Sequence, residues 1–161
     1  MTIEEYNISV DEYSDNIYRF ILKNIKDSDK AKDIVQDTYE KLWLKVDGVS
    51  FDKVRSYLFT TAYHTMIDLL RREKKQGDFN TIKPDMYSHN EQYSDLNEIL
   101  HEAISKLPDA QRSVIMLRDY EGYSYEEIAE ITNLNESQVK VYIFRGRMFL
   151  KEYIGKMEAV I

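Results

Sequence analysis

The sequence predicts an all-α protein: two small helical domains joined by a flexible linker, the C-terminal one a helix-turn-helix. Three observations carry that expectation. Apolar residues recur at helical spacing wherever the chain is patterned, as in Tyr13, Ile17, Phe20, Ile21 and Ile25. Two prolines and five glycines in 161 residues leave room for long helices and give little reason to propose sheet. The pattern fades once, from Gly77 to about Ser94, in a polar stretch that holds Pro84 and has no clear period. The resulting boundaries are 10–76 for the first domain, 77–95 for the linker and 96–156 for the second domain.

In chain order, residues 1–9 are polar and expected to fray. A helix follows from about Val10 to Lys26, and Asp27-Ser28-Asp29 interrupts it, with Ser28 or Asp29 as the next cap. The helix KAKDIVQDTYEKLWLKV buries Ala31, Ile34, Val35, Tyr39, Leu42 and Val46 by spacing, leaving Asp33, Gln36, Asp37, Glu40 and Lys41 on its other side. Trp43 belongs with the core on burial habits. A loop around Asp47 to Ser50 leads to a long helix, roughly Phe51 to Lys75, with Val54, Leu58, Ala62, Met66 and Leu69 inward. Its other side carries Tyr57, Thr61, His64, Asp68, Arg71, Arg72 and Lys75. Aromatic and basic groups on one face suit single-stranded nucleic acid, because bases stack on rings while cations follow phosphates. The plainer reading is that cations at a helix C-terminus complement its dipole.

Beyond the linker, Leu96, Ile99, Leu100, Ala103, Ile104 and Leu107 restore a helix, and Pro108 opens the next as its first residue. Gly122 ends that helix. Ser124 and Glu127 then fit a capping box, in which each side chain satisfies a backbone N–H at a helix start. The short helix stops at Asn133, which tolerates the left-handed conformation of a tight turn. Asn135 caps a second helix, with Gln138 three residues on. Two capped helices joined by about three residues form a helix-turn-helix, whose second helix enters the DNA major groove. From Glu136 to Lys156 that helix carries Lys140, Arg145, Arg147, Lys151 and Lys156 against Glu136 and Glu152. A solvated basic face of a helical hairpin is the plainer alternative.

The whole chain is acidic, with a net charge of −7. Proteins that bind DNA alone present basic domains, since phosphate contacts dominate affinity. Weak intrinsic DNA affinity follows, with a partner supplying the rest. The absence of cysteine excludes disulfides and thiolate metal sites and fits a reducing cytosol. The N-terminal stretch lacks the regions of a signal peptide, and no apolar run approaches the ~18 residues needed to span a membrane. A cytoplasmic location without direct membrane insertion is expected. His64 has no second histidine at ligand spacing, so no metal site is expected. There is no phosphate-binding glycine loop and no nucleophile paired with a base. Neither catalytic residues, a cofactor nor a small-molecule substrate are therefore expected, and the protein is not expected to be an enzyme.

Three stretches in order carry a resemblance. DIVQDTYEKLW (33–43) is similar to a polymerase-binding helix, and VRSYLFTTAYHTMIDLLRREKK (54–75) looks like a helix that melts and reads a promoter's minus-ten element. LPDAQRSVIMLRDYEGYSYEEIAEITNLNESQVKVYIFRGR (107–147) is similar to a domain that binds the minus-thirty-five element. Together they resemble the small two-domain bacterial sigma factors of the extracytoplasmic-function (ECF) class.

The resemblance implies a transcription initiation factor that binds core RNA polymerase, directs it to promoter DNA and assists melting. Asp33, Gln36 and Asp37, with Glu40 and Lys41, would meet the polymerase. The loop Val49, Ser50, Phe51, Asp52 and Lys53 would hold a flipped promoter base, and Tyr57, His64, Asp68, Arg71 and Arg72 would line the minus-ten DNA. Ser137, Gln138, Lys140, Val141, Tyr142 and Arg145 would face the minus-thirty-five element. The linker would thread the polymerase, its Asp78, Asp85, Glu91 and Asp95 mimicking a nucleic-acid backbone, and an anti-sigma factor is an implied partner. The family usually has Trp at Tyr57, Asn at His64 and Ser-Arg at Val141-Tyr142. The promoter sequence is therefore not inherited from relatives. The apolar cluster Val141, Phe144 and Met148 on the exposed side of the last helix suits thymine methyl groups or another protein. A free-standing helix-turn-helix regulator and an anti-sigma-binding decoy are the alternatives; the first should bind duplex DNA unaided, with steep salt dependence.

Overall fold

A computed structural model of the chain describes residues 1–75 and 95–160, without the side chains of 95, 96 and 158–160. The expected linker, with Asp78, Asp85, Glu91 and the Asp95 side chain, lies almost wholly outside the described residues. Seven α-helices account for most of the described chain: α1 (Ile3–Ile25), α2 (Ser28–Leu44), α3 (Val54–Lys75), α4 (Asp95–Ser105), α5 (Asp109–Ile115), α6 (Tyr125–Thr132) and α7 (Glu136–Val160). No strand occurs among the described residues. The first three helices form one domain and the last four the other.

The N-terminus differs from expectation. Helix α1 starts at Ile3, seven residues earlier than the apolar stripe suggests, because Thr2 and Glu5 make a reciprocal capping box. The polar side chains of this turn are used rather than solvated. Ser9 is buried and donates to the Tyr6 carbonyl at 2.7 Å, the Tyr6 hydroxyl donates to the Tyr39 carbonyl at 3.1 Å, and the Tyr39 hydroxyl donates to the Ser9 carbonyl at 2.7 Å. This network fastens α1 to α2, and burial raises the Tyr39 phenol above its ordinary range.

Lys26 ends α1 in the left-handed region (φ 57°), and the cap of α2 is Asp27 rather than Ser28 or Asp29. Asp27 accepts from the backbone N–H of Asp29 and Lys30 at 3.1 and 3.2 Å. Ile17, Phe20 and Ile21 of α1, Ala31, Ile34 and Leu42 of α2, and Val54, Leu58, Phe59, Ala62 and Met66 of α3 make the three-helix core. Trp43, expected inside, is 46% exposed, its ring meeting Tyr6 edge-on at 5.2 Å. It sits in the last turn of α2.

In the second domain Pro108 is the N-cap of α5, not its first residue. After Ile115 the helix widens into a π-turn, Met116–Tyr120, closed by the Glu121 N–H bonding to the Met116 carbonyl at 3.1 Å. Gly122 then takes a positive φ of 78°, which reverses the chain and buries Tyr123. Both expected caps are present. Ser124 and Glu127 exchange bonds of 3.1 and 2.8 Å, and Asn135 and Gln138 bonds of 2.8 and 3.1 Å. Asn133 has φ 64°, as a left-handed turn residue should. Arg112, 7% exposed, ties α4 to α5 through the carbonyls of Ile104, Ser105 and Leu107. One apolar cluster runs through both domains, and α3 packs on α6.

Candidate nucleic-acid and polymerase interfaces

Helix α2 is two-sided. Ala31, Ile34, Thr38, Tyr39 and Leu42 face the core, while Asp33, Gln36, Glu40 and Lys41 are exposed and Asp37 is half-buried. The sequence period thus becomes a polar stripe on a fixed helix. Lys41 is partly committed: its ammonium lies 3.3 Å from Asp37 and donates to the Thr65 hydroxyl of α3 at 3.0 Å. Asp33, Gln36 and Glu40 are left as the free edge of the stripe. Their spacing of three and four residues puts them on one line.

In the Val49–Lys53 segment, Val49-Ser50 follows one short 3₁₀ turn, Val46–Gly48, and leads into another, Phe51–Lys53. Val49 and Phe51 pack against the core, while Ser50, Asp52 and Lys53 are exposed. The Met1 amino group donates to the carbonyls of Val46 and Val49 at 3.1 and 3.2 Å, fixing the backbone on which Ser50 is presented. Along α3, Tyr57 and His64 are half-buried, Tyr57 packing on the core and His64 meeting the Tyr63 ring edge-on at 5.3 Å. Asp68, Arg71 and Arg72 are exposed toward the far end, with Arg71 3.6 Å from Asp68. An exposed pair of this kind contributes little to stability and leaves the guanidinium available. The segment before α3 and the outer face of α3 therefore form one continuous strip, polar at its start and basic at its end.

In the helix-turn-helix, Val139 and Ile143 anchor α7 in the core. Ser137, Gln138, Lys140, Val141 and Arg145 are exposed, but Gln138 is occupied with the Asn135 cap and Lys140 lies 3.6 Å from Glu136. Tyr142 is half-buried and packs on the core rather than standing among the outward residues. Phe144, expected with Val141 and Met148 in an exposed apolar cluster, is 66% exposed one turn beyond Val141 (42%), and Met148 is 49% exposed. Arg147 is drawn back to the π-turn, where Asp119 accepts from it, and that hydrogen bond raises its pKa. Close packing of α7 on α5 depends on Gly146, where an added Cβ would lie 2.2 Å from Ile115 Cδ1.

Among the described residues no group of three or more His, Cys, Asp and Glu side chains is placed to hold a metal, and no helix is long and apolar enough to cross a membrane. The surfaces that emerge are polar and basic strips suited to macromolecules.

Comparison with known proteins agrees with this arrangement. The family sigma-70 region 2 matches residues 10–76, and sigma-70, region 4 matches residues 97–150. The chain is 31% identical to the ECF RNA polymerase sigma factor SigM of Bacillus subtilis over 160 residues, covering 94% of each chain. It is 31% identical to the RNA polymerase sigma factor SigV of the same organism, covering 91% of this chain and 89% of that one. Among solved structures, the sigma factor RpoE in complex with the anti-sigma factor NepR from Bartonella quintana superposes with a TM-score of 0.80 at 25% identity. That match covers 95% of this chain and 98% of RpoE. CnrH, solved with the cytosolic domain of CnrY, shares the fold with a TM-score of 0.66 at 20% identity, covering 94% of this chain and 88% of CnrH. With a region 2 domain, a region 4 helix-turn-helix and full-length relatives of one kind, the chain belongs to the ECF class of RNA polymerase sigma factors.

Proposed function

We propose that this sigma factor divides its work between the three surfaces described above. The stripe Asp33, Gln36, Asp37 and Glu40, closed by Lys41, docks on core RNA polymerase. The segment Val49–Lys53 and the outer face of α3 (Tyr57, His64, Asp68, Arg71 and Arg72) take the minus-ten element. Bases that leave the stack are trapped on this strip, and their capture offsets the few kcal/mol lost per unstacked base. The N-terminal half of α7 reads the minus-thirty-five element in the major groove through Ser137, Lys140, Val141 and Arg145, with Gln138 and Tyr142 at its edge. The domains carrying these roles are residues 10–76 and 96–156, joined by 77–95. The chain performs no bond chemistry of its own; RNA synthesis belongs to the polymerase, in the cytoplasm. An anti-sigma factor is the expected regulator, as RpoE has NepR.

The observation that carries this reading is the exposed polar stripe on a helix whose other side is fully committed to the core. The acidic net charge agrees, since polymerase supplies the nonspecific DNA contacts that a protein of charge −7 does not. The test is a pull-down of the full chain against core RNA polymerase, with the Asp33→Ala/Gln36→Ala/Asp37→Ala variant alongside. Asp33 and Gln36 are exposed and Asp37 pairs with Lys41, so circular dichroism of the variant verifies that it is folded. Loss of binding in the variant alone supports the assignment. Equal binding by both removes it.

A further inference from the structure

A cleft between α1 and the π-turn gathers more positive charge than the acids beside it neutralise. Arg19 and Lys23, one turn apart on α1, line it with Asn16, and Tyr120 and Glu121 close it from the other side. Its volume is about 140 Å³, room for a group of several heavy atoms. Arg19, Lys23 and, from α3, Arg55 all act on the Glu121 carboxylate. Asp119, the nearest other acid to Tyr120, is taken up by Arg147. Three cations against one carboxylate leave an excess of two positive charges, in a chain whose net charge is −7.

The three cations are not equally committed. Arg55 is seated: one of its nitrogens donates to the Glu121 carbonyl at 2.8 Å and to the Glu121 carboxylate at 3.2 Å. Its guanidinium also lies 4.4 Å from the centroid of the Tyr123 ring, which meets Phe59 edge-on at 5.7 Å. Arg19 is exposed and donates to Asn16 Oδ1 at 2.6 Å, which leaves the rest of its fork and the Asn16 amide N–H groups facing outward. Lys23 is half-buried, with its ammonium 4.2 Å from the Tyr120 ring centroid and no hydrogen-bond acceptor meeting it among the described residues. Burial and then the Arg19 charge lower its pKa, and Glu121 opposes them. A half-buried ammonium beside a like charge, met by a ring face alone, gains most from an arriving anion.

The excess charge and the donor set select the class of anion. A terminal phosphoryl group carries about −1.5 to −2 near neutral pH, which matches the excess. A monocarboxylate would offset only half of it. The planar fork of Arg19 suits two phosphoryl oxygens, Lys23 supplies a point charge, and Asn16 an amide donor. A phosphodiester strand brings one charge per phosphate and must continue on both sides, whereas this cleft is walled by α1 and by the π-turn.

We propose that the cleft formed by Asn16, Arg19, Lys23 and Tyr120 binds the terminal phosphoryl group of a small phosphorylated molecule, with Glu121, held back by Arg55, as the charge that tempers its affinity.

Isothermal titration calorimetry of the full chain with sodium pyrophosphate, in chloride buffer at fixed ionic strength, tests this. One saturable site is expected, and thermal unfolding should move upward with pyrophosphate, because a ligand of the native chain alone stabilises it. Arg19→Gln/Lys23→Gln should weaken binding at least tenfold with a circular dichroism spectrum like that of wild type. Lys32→Gln/Lys45→Gln, which removes the same charge from exposed positions elsewhere, should bind like wild type. Glu121→Gln is an independent arm: it removes the opposing charge, keeps an acceptor for Arg55, and should tighten binding severalfold. No saturation at millimolar pyrophosphate, equal weakening in the two double variants, or weaker binding by Glu121→Gln would each overturn the site. An oligonucleotide without terminal phosphates that displaces pyrophosphate at equal concentration would overturn it too, and would assign these cations to a nucleic-acid strand.

Discussion

Arg112 offers the sharpest test of how the second domain is held together. Replacing it by Ala removes a nearly buried guanidinium that donates to three carbonyls at the end of α4 and the following turn: Ile104 at 3.2 Å, Ser105 at 3.2 Å and Leu107 at 2.6 Å. It also donates to the Asn24 carbonyl and to Asp109. The bonds to Ile104 and Leu107 are buried. Only the Leu107 carbonyl would be left unpaired, at roughly 1–3 kcal/mol, because the Ile104 carbonyl also accepts from the Leu107 N–H at 3.2 Å and water can reach the other three. The expected cost is about 2 kcal/mol, which for a chain of this size lowers Tm by about 6 °C. Thermal and urea unfolding followed by circular dichroism measure it. Arg112→Lys keeps the charge but not the planar fork, and should recover no more than about half of the loss. A loss below about 1 kcal/mol in Arg112→Ala, or full recovery by Lys, would refute the claim that this fork organises the α4–α5 junction.

Gly146→Ala gains about 1 kcal/mol of helix propensity but drives a Cβ into Ile115, a side chain only 1% exposed, at an overpacking cost of about 1–3 kcal/mol. The net effect is a loss of stability, and a denaturant midpoint at or above wild type would contradict it. Burial raises the Glu121 carboxyl above its ordinary 4.5, opposed by Arg55 on α3 and by Arg19 and Lys23 on α1. The chain with its two domains in contact thus holds the proton more tightly. This contribution is fully present below the ordinary value and is lost as pH rises through the raised one. The free chain should compact further on acidification from neutral pH, and Glu121→Gln should flatten that dependence in small-angle scattering. Expansion on acidification would reverse the sign of the argument. Finally, Val141 and Phe144 present apolar surface on the part of α7 proposed to read the minus-thirty-five element, and the thymine methyl is the apolar group of the major groove. Replacing thymine by uracil in a selected minus-thirty-five duplex should weaken holoenzyme binding at one or two positions. One buried methyl is worth about 0.8 kcal/mol, or about fourfold, and Val141→Ser should abolish the difference. Binding that is indifferent to the methyl at every position would assign the stripe to a protein partner.

What was legible in the sequence was local. The caps Ser124/Glu127 and Asn135/Gln138 and the turn residue Asn133 depend on neighbours within four positions, so their types and spacing fixed them in advance. The stripe of α2 was readable for the same reason, because one helical period separates its buried and exposed sides. Thr2 and Glu5 carried the same capping signal, and polarity masked it: the turn they start is polar because it bonds to α2. Trp43 and Tyr142 show the opposite limit. Both are large rings on helices, and their depth depends on the neighbours each meets in three dimensions rather than on their own periodicity.

The sequence by itself determined the all-helical class, the break between two domains, the helix-turn-helix and, through three ordered motifs, membership of the ECF sigma factors. Only the tertiary structure decided how the halves meet. Arg55 and Phe59 lie more than sixty residues from Glu121 and Tyr123, and nothing in either half specifies the other as its partner. A contact between helices of different domains is set by shape, by the π-turn that re-aims Glu121 and by the positive φ of Gly122. Local spacing encodes none of these, so the contact exists only in the folded chain.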